Sequence, residues 1–398
     1  GGSLALPAQR AVGRAIWDAL NAEEREAALR TVAPLLRGSA DWPWDWPQRI
    51  AGQLRAACAA ALLVEADDPM LLRNLYEATE PRLRLKDSLH GFAAYERPGE
   101  LTGSAVLTHP AALPPYAAAL VEQARAEGLT YVELRGSPHK YRPEDPAGFL
   151  RDLQDALHRA GANAEGGPRF GFVWILDRRQ RETMPAVLEM AVAARRGLED
   201  FLLGLDLAGA EGTQQPEQLA DAFTPAFREC LRITIHAGEG ERAENIWQAA
   251  YRLHADRIGH GLTLLENPAL AERFRDRGVC IELCPTSNRE VVGFRDPAVP
   301  ASEALPPYPL RRMLEAGLPV TLCTDNPGIS RTTLADEFLT AARMSDGGLS
   351  LWQVLALLRA GFAHAFLPAR DRERLLAQAD AEVFRCAAAF PAGAGLVG

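Results

Sequence analysis

The sequence predicts an α/β fold, a TIM-type (β/α)8 barrel. Three observations point there. From about residue 115 onward, helix-like and strand-like segments alternate, which implies a parallel sheet. Chemically useful side chains gather at the C-terminal ends of those strands: Arg135, Asp206, His236, Glu239, His260, Asn288 and Asp325. That is where barrels collect their functional groups, whereas a doubly wound sheet places its site at one switch point. Finally, no glycine-rich dinucleotide fingerprint follows an early strand.

The elements follow in order. Residues 8–20, 23–36 and 47–64 carry apolar side chains at three- and four-residue spacing and read as helices. Asn21 with Glu24 forms a capping-type start. The prolines of Trp42-Pro43-Trp44-Asp45-Trp46-Pro47 break helices, and its tryptophans are expected to dock a loop on the body. Helix 116–127 leads to strand 131–135, helix 147–160 to strand 170–176, and helix 185–197 to strand 201–207. Further strands end at His236, at His260, near Cys284 and at Asp325, with helices 243–254, 268–277 and 308–316 among them. Seven strands result, so the first barrel strand is expected to lie before residue 1. Residues 342–390 read as helices packed outside the barrel or closing it. The whole chain, 1–398, reads as one domain: a helical insertion and lid over 1–100, the barrel core over 101–340 and C-terminal helices over 341–398.

Composition narrows the function. With 398 residues, 47% of them hydrophobic and 24% charged, the chain can bury a large core. A formal net charge of -9 argues against a nucleic-acid surface. No apolar run is long enough for a membrane span, and no signal peptide opens the chain, so a cytoplasmic protein is expected. The six cysteines at 58, 230, 280, 284, 323 and 386 are read as buried free thiols in a reducing compartment.

Ile233-Thr234-Ile235-His236-Ala237-Gly238-Glu239 is a β-branched run that ends in an imidazole, a small-residue turn and a carboxylate. Imidazole and carboxylate together suit zinc or a similar ion, which makes His236 and Asp325 candidate metal ligands. Glu239, three residues beyond His236, is a candidate general acid/base. His260, between two glycines, is placed to orient a water or shuttle its proton. Taken singly, a strand-end histidine is usually structural and a Thr-Asp is usually a turn or cap. Their occurrence in this order at successive strand ends reverses that weighting.

Six ordered segments resemble the adenosine deaminases of the amidohydrolase superfamily. They are Tyr131 to Pro138, Gly204 to Glu211, His236 to Glu239, Arg257 to Gly261, Cys284 to Asn288 and Thr324 to Pro327. The resemblance implies one Zn2+ per site on His236 and Asp325, with Glu239 protonating purine N1 and His260 assisting the attacking hydroxide. It places the backbone of Gly209 at the purine edge, Asn326 near N7, and Asp206 among the substrate-binding residues. Leu85 to Phe92 resembles the family's substrate-covering helix, so Phe92 would flank the pocket. The reaction implied is hydrolytic deamination of adenosine or an adenine nucleotide to the inosine form. Alternatives are adenine deaminase or another amidohydrolase, and a catalytically inactive barrel that binds or assembles. The partner would be a small purine nucleoside or nucleotide, and the helical insertion could mediate a homo-oligomer.

The chain departs from the family in one respect above all: it contains no His-x-His pair. The expected explanation is that Gly1-Gly2-Ser3-Leu4 begins just after the strand bearing that pair; the rival is an expression linker. This exact chain would then be inactive or nearly so. Asn326 stands where the family usually has a second aspartate, and Gly1 would take the place of a ribose-contacting residue. The segment Asp325 to Leu334 and the long insertion look more like divergent deaminases associated with prokaryotic defence, some of which accept ATP. Arg289 and Arg331 follow strand ends and are candidate phosphate ligands; surface or ion-paired arginines are the equal alternative.

Overall fold

Short runs that alternate apolar with polar residues build the sheet, because successive strand side chains face opposite ways. The structure, a computed structural model, describes residues 2–37, 41–76 and 81–389. Residue 1, and with it the expected ribose-contact position, lies outside the described residues. The strands are β1 (Tyr131–Gly136), β2 (Arg169–Asp177), β3 (Leu202–Ala208), β4 (Arg232–Ala237), β5 (Arg257–His260), β6 (Cys280–Leu283) and β7 (Val320–Leu322). Each pairs in parallel with the next, in the order β1 to β7. Parallel neighbours require crossovers, and helices Pro146–Arg159, Met184–Arg195, Ala243–Arg252 and Pro268–Arg277 supply four of them. The sheet curls into a half-barrel wrapped by helices, and β1 and β7 are its edges among the described residues.

Residues 2–4 cross between those two edges at the strand-end side. The Gly2 carbonyl accepts the Gly328 N–H at 2.7 Å, beyond β7. Ser3 lines a cavity with Leu134, Arg135 and Gly136 of β1.

The expected helices form with shifted bounds. Leu6–Ala19 and Ala22–Leu36 are continuous, the second opened by the Asn21–Glu24 capping box. The segment read as one helix over 47–64 is two, Trp46–Arg49 and Arg55–Glu65. Gly52, at φ +100°, lies in the break between them. Trp42 and Trp46 are buried, as the docked-loop reading requires. Helical turns continue past residue 100, through Glu100–Ala105 and Leu113–Ala126, before the first strand.

Leu205, Leu207, Ile233, Ile235, Ile258, Ile281 and Leu283 join the main core together with helix residues such as Leu188, Ile246 and Phe274. The alternate positions, Glu133, Arg135, Asp206, Thr234 and His236, carry the charged and polar groups. Phe366 closes the base beneath Gly204, where a Cβ would lie 2.9 Å from its ring. The thiol expectation needs correction. Cys58, Cys280 and Cys284 are buried, but Cys230 and Cys386 are exposed. Cys230 sits in a turn at φ 52° before β4, and Cys386 lies on the outermost helix, Ala369–Ala389.

Candidate active site

The ends of β4, β5 and β7 bring His236, Glu239, His260 and Asp325 together. The His236 and His260 rings lie edge to face with centroids 5.0 Å apart, and Glu239 Oε1 is 3.6 Å from His260 Nδ1. Two of these residues hold unusual backbone: His260 at φ 64° and Asp325 at φ 53°. Left-handed backbone in non-glycine residues costs about 1–3 kcal/mol each and persists where surrounding contacts over-determine it.

Those contacts are specific. Asn288 holds His260 Nδ1 at 2.8 Å and is held in turn by the Tyr308 hydroxyl at 2.8 Å. Asp325 Oδ2 accepts from Ser287 Oγ at 2.8 Å and from the Tyr95 hydroxyl at 3.1 Å, while its Oδ1 accepts from Asn326 at 2.8 Å. Asn326 therefore supports Asp325. Tyr95 and Ser287 escaped the sequence reading. Ser287 lay within a quoted motif, but Tyr95 sits on helix Phe92–Gly99, far from any strand end.

Asp206 needs a change of role. It was expected to touch substrate, yet it is fully buried behind His236. Its Oδ1 is 2.9 Å from His236 Nδ1 and its Oδ2 accepts from Arg135 at 2.9 Å. An ionised Asp206 fixes the proton on Nδ1 and leaves Nε2 as the free acceptor. Burial alone would pull the His236 imidazole down, but the Asp206 carboxylate outweighs it and raises its pKa. Burial likewise pushes Asp206 up, and His236 and Arg135 more than reverse that. Glu239 behaves differently: burial raises its carboxyl above the ordinary value, despite the opposing His260.

Gly209 sits at the end of β3 at φ +92°, and a Cβ there would lie 2.6 Å from Asp177 Oδ1. The covering segment is not one helix. Leu85–Asp87 is a single turn and Phe92–Gly99 is the helix. Phe92 packs on Tyr95, with ring centroids 5.8 Å apart, beside Ile329 and Val291. Glu96 of that helix pairs with Arg179 beyond β2 at 2.8 Å. The two arginines do not converge with the others. Arg289 is buried against Asp296 at 2.6 Å, and the Arg331 guanidinium lies over the Tyr76 ring at 5.4 Å.

The expected zinc meets a donor set that is too small. Structural and catalytic zinc sites use three or four protein ligands. His236 and Asp325 provide two, and among the described residues no group of three or more histidine, cysteine, aspartate or glutamate side chains could hold a metal ion. These residues by themselves do not fit a zinc ion.

Comparison with known proteins places this arrangement. A family model described as adenosine deaminase matches residues 51–382. The adenosine deaminase of Edwardsiella ictaluri is 30% identical over 305 residues, 76% of this chain and 87% of that enzyme. That of Clostridium acetobutylicum is 28% identical over 66% of this chain and 74% of its own length. Among solved structures, adenine deaminase from Arthrobacter aurescens superposes with TM-score 0.62 at 21% identity, covering 79% of this chain and 88% of that one. An Arabidopsis ADAL structure complexed with IMP gives 0.59 at 21%, covering 74% and 83%. An amidohydrolase from Burkholderia ambifaria with bound Zn gives 0.60 at 22%, covering 71% and 76%. With the family model spanning most of the chain and the half-barrel shared with these structures, the protein belongs to the adenosine deaminase family, hydrolases that act on C–N bonds.

Proposed function

We propose that the site deaminates the 6-amino group of an adenine ring, in adenosine or an adenine nucleotide, giving the inosine form and ammonia. The observation that carries this is the half-buried Glu239 carboxyl, 3.6 Å from His260. Burial raises that carboxyl above its ordinary pKa, which favours the protonated form that can donate to a ring nitrogen. That proton makes the carbon bearing the amino group more electrophilic toward water. His260, fixed through Asn288, is placed to steer the incoming water. The Asp325 charge acts on both His236 and Glu239. The IMP complex of the Arabidopsis neighbour supports a nucleotide as the ligand class.

Adenosine, AMP and ATP are the compounds to test, with ammonia release and calorimetric binding measured together. Glu239→Gln retains an N–H donor, so it is expected to bind the ring but to lose about 10²–10⁴-fold in kcat. Glu239→Ala is expected to lose binding as well. An unmutated chain that binds no adenine compound would defeat the proposal. With only two metal donors described, turnover is expected to be low even with added Zn2+; full activity with stoichiometric zinc would contradict that expectation.

A further inference from the structure

Glu239 is carried by a turn with little bulk of its own, His236-Ala237-Gly238-Glu239-Gly240. Glycines flank Glu239, and Gly238 lies at φ +75°. A free segment of this composition samples many conformations. Here every amide from 238 to 240 ends on one carboxylate. Gly238 N–H donates to Glu211 Oε1 at 2.6 Å, Glu239 N–H to Oε2 at 2.9 Å, and Gly240 N–H to Oε2 at 3.2 Å. Asn245 Nδ2 completes the set at 3.1 Å to Oε1. The opposite side of the turn is also held. Arg178, fully buried at the end of β2, donates to the carbonyls of His236 at 2.5 Å, Leu207 at 3.2 Å and Ala208 at 3.4 Å.

We propose that Glu211 is a positioning residue which, with Arg178 opposite, holds the 236–240 turn so that the Glu239 carboxyl faces His260. The inference rests on the reading of Glu239 as the proton donor. Glu211 does not serve as an acid or as a substrate acceptor itself, since four N–H donors occupy its two oxygens. A carboxylate is required because each oxygen must accept two hydrogen bonds. In Glu211→Gln one oxygen becomes an NH2 group, which would confront amide donors from the turn.

The test uses the full chain, labelled with 15N. In Glu211→Gln the amides of Gly238, Glu239 and Gly240 are expected to lose about tenfold or more of their hydrogen-exchange protection, while Ile233 and Ile235 of β4 keep theirs. Asn245→Ala, which removes a donor to Glu211 but no contact to the turn, should leave all three protected. In ammonia-release assays Glu211→Gln should lower kcat about 100-fold with little change in KM, as expected for a misplaced acid. Glu211→Asp, which keeps the charge on a shorter stem, should recover part of the loss and provides a second variant if the first fails to fold. Unchanged amides at 238–240 in both variants, or a loss that spreads equally through β4, would overturn the proposal. If the unmutated chain binds no adenine compound, the deaminase reading fails, while the amide measurement still decides the positioning role.

Discussion

Burial does different work on different carboxyls. Glu337, on helix Leu334–Met344, accepts from the Thr286 N–H at 2.9 Å and from Thr332 Oγ1 at 2.7 Å, and burial pushes its pKa up to about 7. The Arg289 charge opposes that shift only weakly. A raised folded-state pKa favours folding at low pH, so this contribution is complete below the ordinary carboxyl value and is lost as pH rises through about 7. The loss amounts to about 3 kcal/mol at most. Glu337→Gln mimics the protonated form, with the amide donating toward Thr332. Urea unfolding at pH 5 and pH 8 should show the unmutated protein losing ground relative to this variant as pH rises. Parallel behaviour of the two would refute the assignment. Residues of this kind escape a sequence reading, because Glu337 lies in the first turn of its helix, where an exposed carboxylate is the ordinary expectation.

At the scale of elements, function concentrates where strands turn into loops. Gly209, Gly238, His260 and Asp325 all have positive φ there. The left-handed turn redirects the chain at once, so the side chain that follows a strand points across the mouth. Gly209→Ala adds strain at φ +92° and drives a methyl toward Asp177. It is expected to destabilise the fold by about 1–3 kcal/mol and to weaken purine binding. Denaturant midpoints with calorimetry check both, and an alanine variant with native stability and affinity would show that the turn relaxes freely. The Arg179–Glu96 pair, which ties helix Phe92–Gly99 to the end of β2 at the surface, should matter far less to stability. The strand-end signal was legible in sequence because His236, Glu239, His260 and Asp325 recur in order at successive strand ends, although each alone reads as a structural residue or a turn. The segment that resembles a covering helix over Leu85 to Phe92 is broken at Gly91, which lies at φ +55°, a conformation that interrupts a right-handed helix.

Across the whole molecule, one ion-paired chain links the barrel base to the site. The Phe366 N–H donates to Glu133, which pairs with Arg257; Arg257 lies 2.9 Å from Glu282, and Glu282 holds Arg135 at 2.6 Å. Arg135 then reaches Asp206 and, through it, His236. Burial would raise Glu133, Asp206 and Glu282, but the guanidinium partners hold Glu133 and Glu282 below the usual range, as His236 and Arg135 do for Asp206. Carboxyls lowered in this way stabilise the fold above their unfolded pKa, and that stability is lost as pH falls through the folded values. Glu282→Gln strips a charge partner from two buried arginines and should cost about 3–5 kcal/mol at pH 7, read by urea unfolding. A cost below about 1 kcal/mol would mean that the network is locally redundant.

The sequence by itself determined the parallel order of seven strands and the strand ends that carry His236, Glu239, His260 and Asp325. Those follow from periodicity and local chemistry, which the chain carries residue by residue. Only the tertiary structure decided what each polar group faces. It put Asp206 behind His236, turned Arg289 to Asp296, brought Tyr95 onto Asp325, and set Glu211 beneath the Glu239 turn. Apart from Arg289 and Asp296, these partners are separated by 28 to 230 positions in the chain and meet only when the sheet curls, and no spacing rule reports that distance.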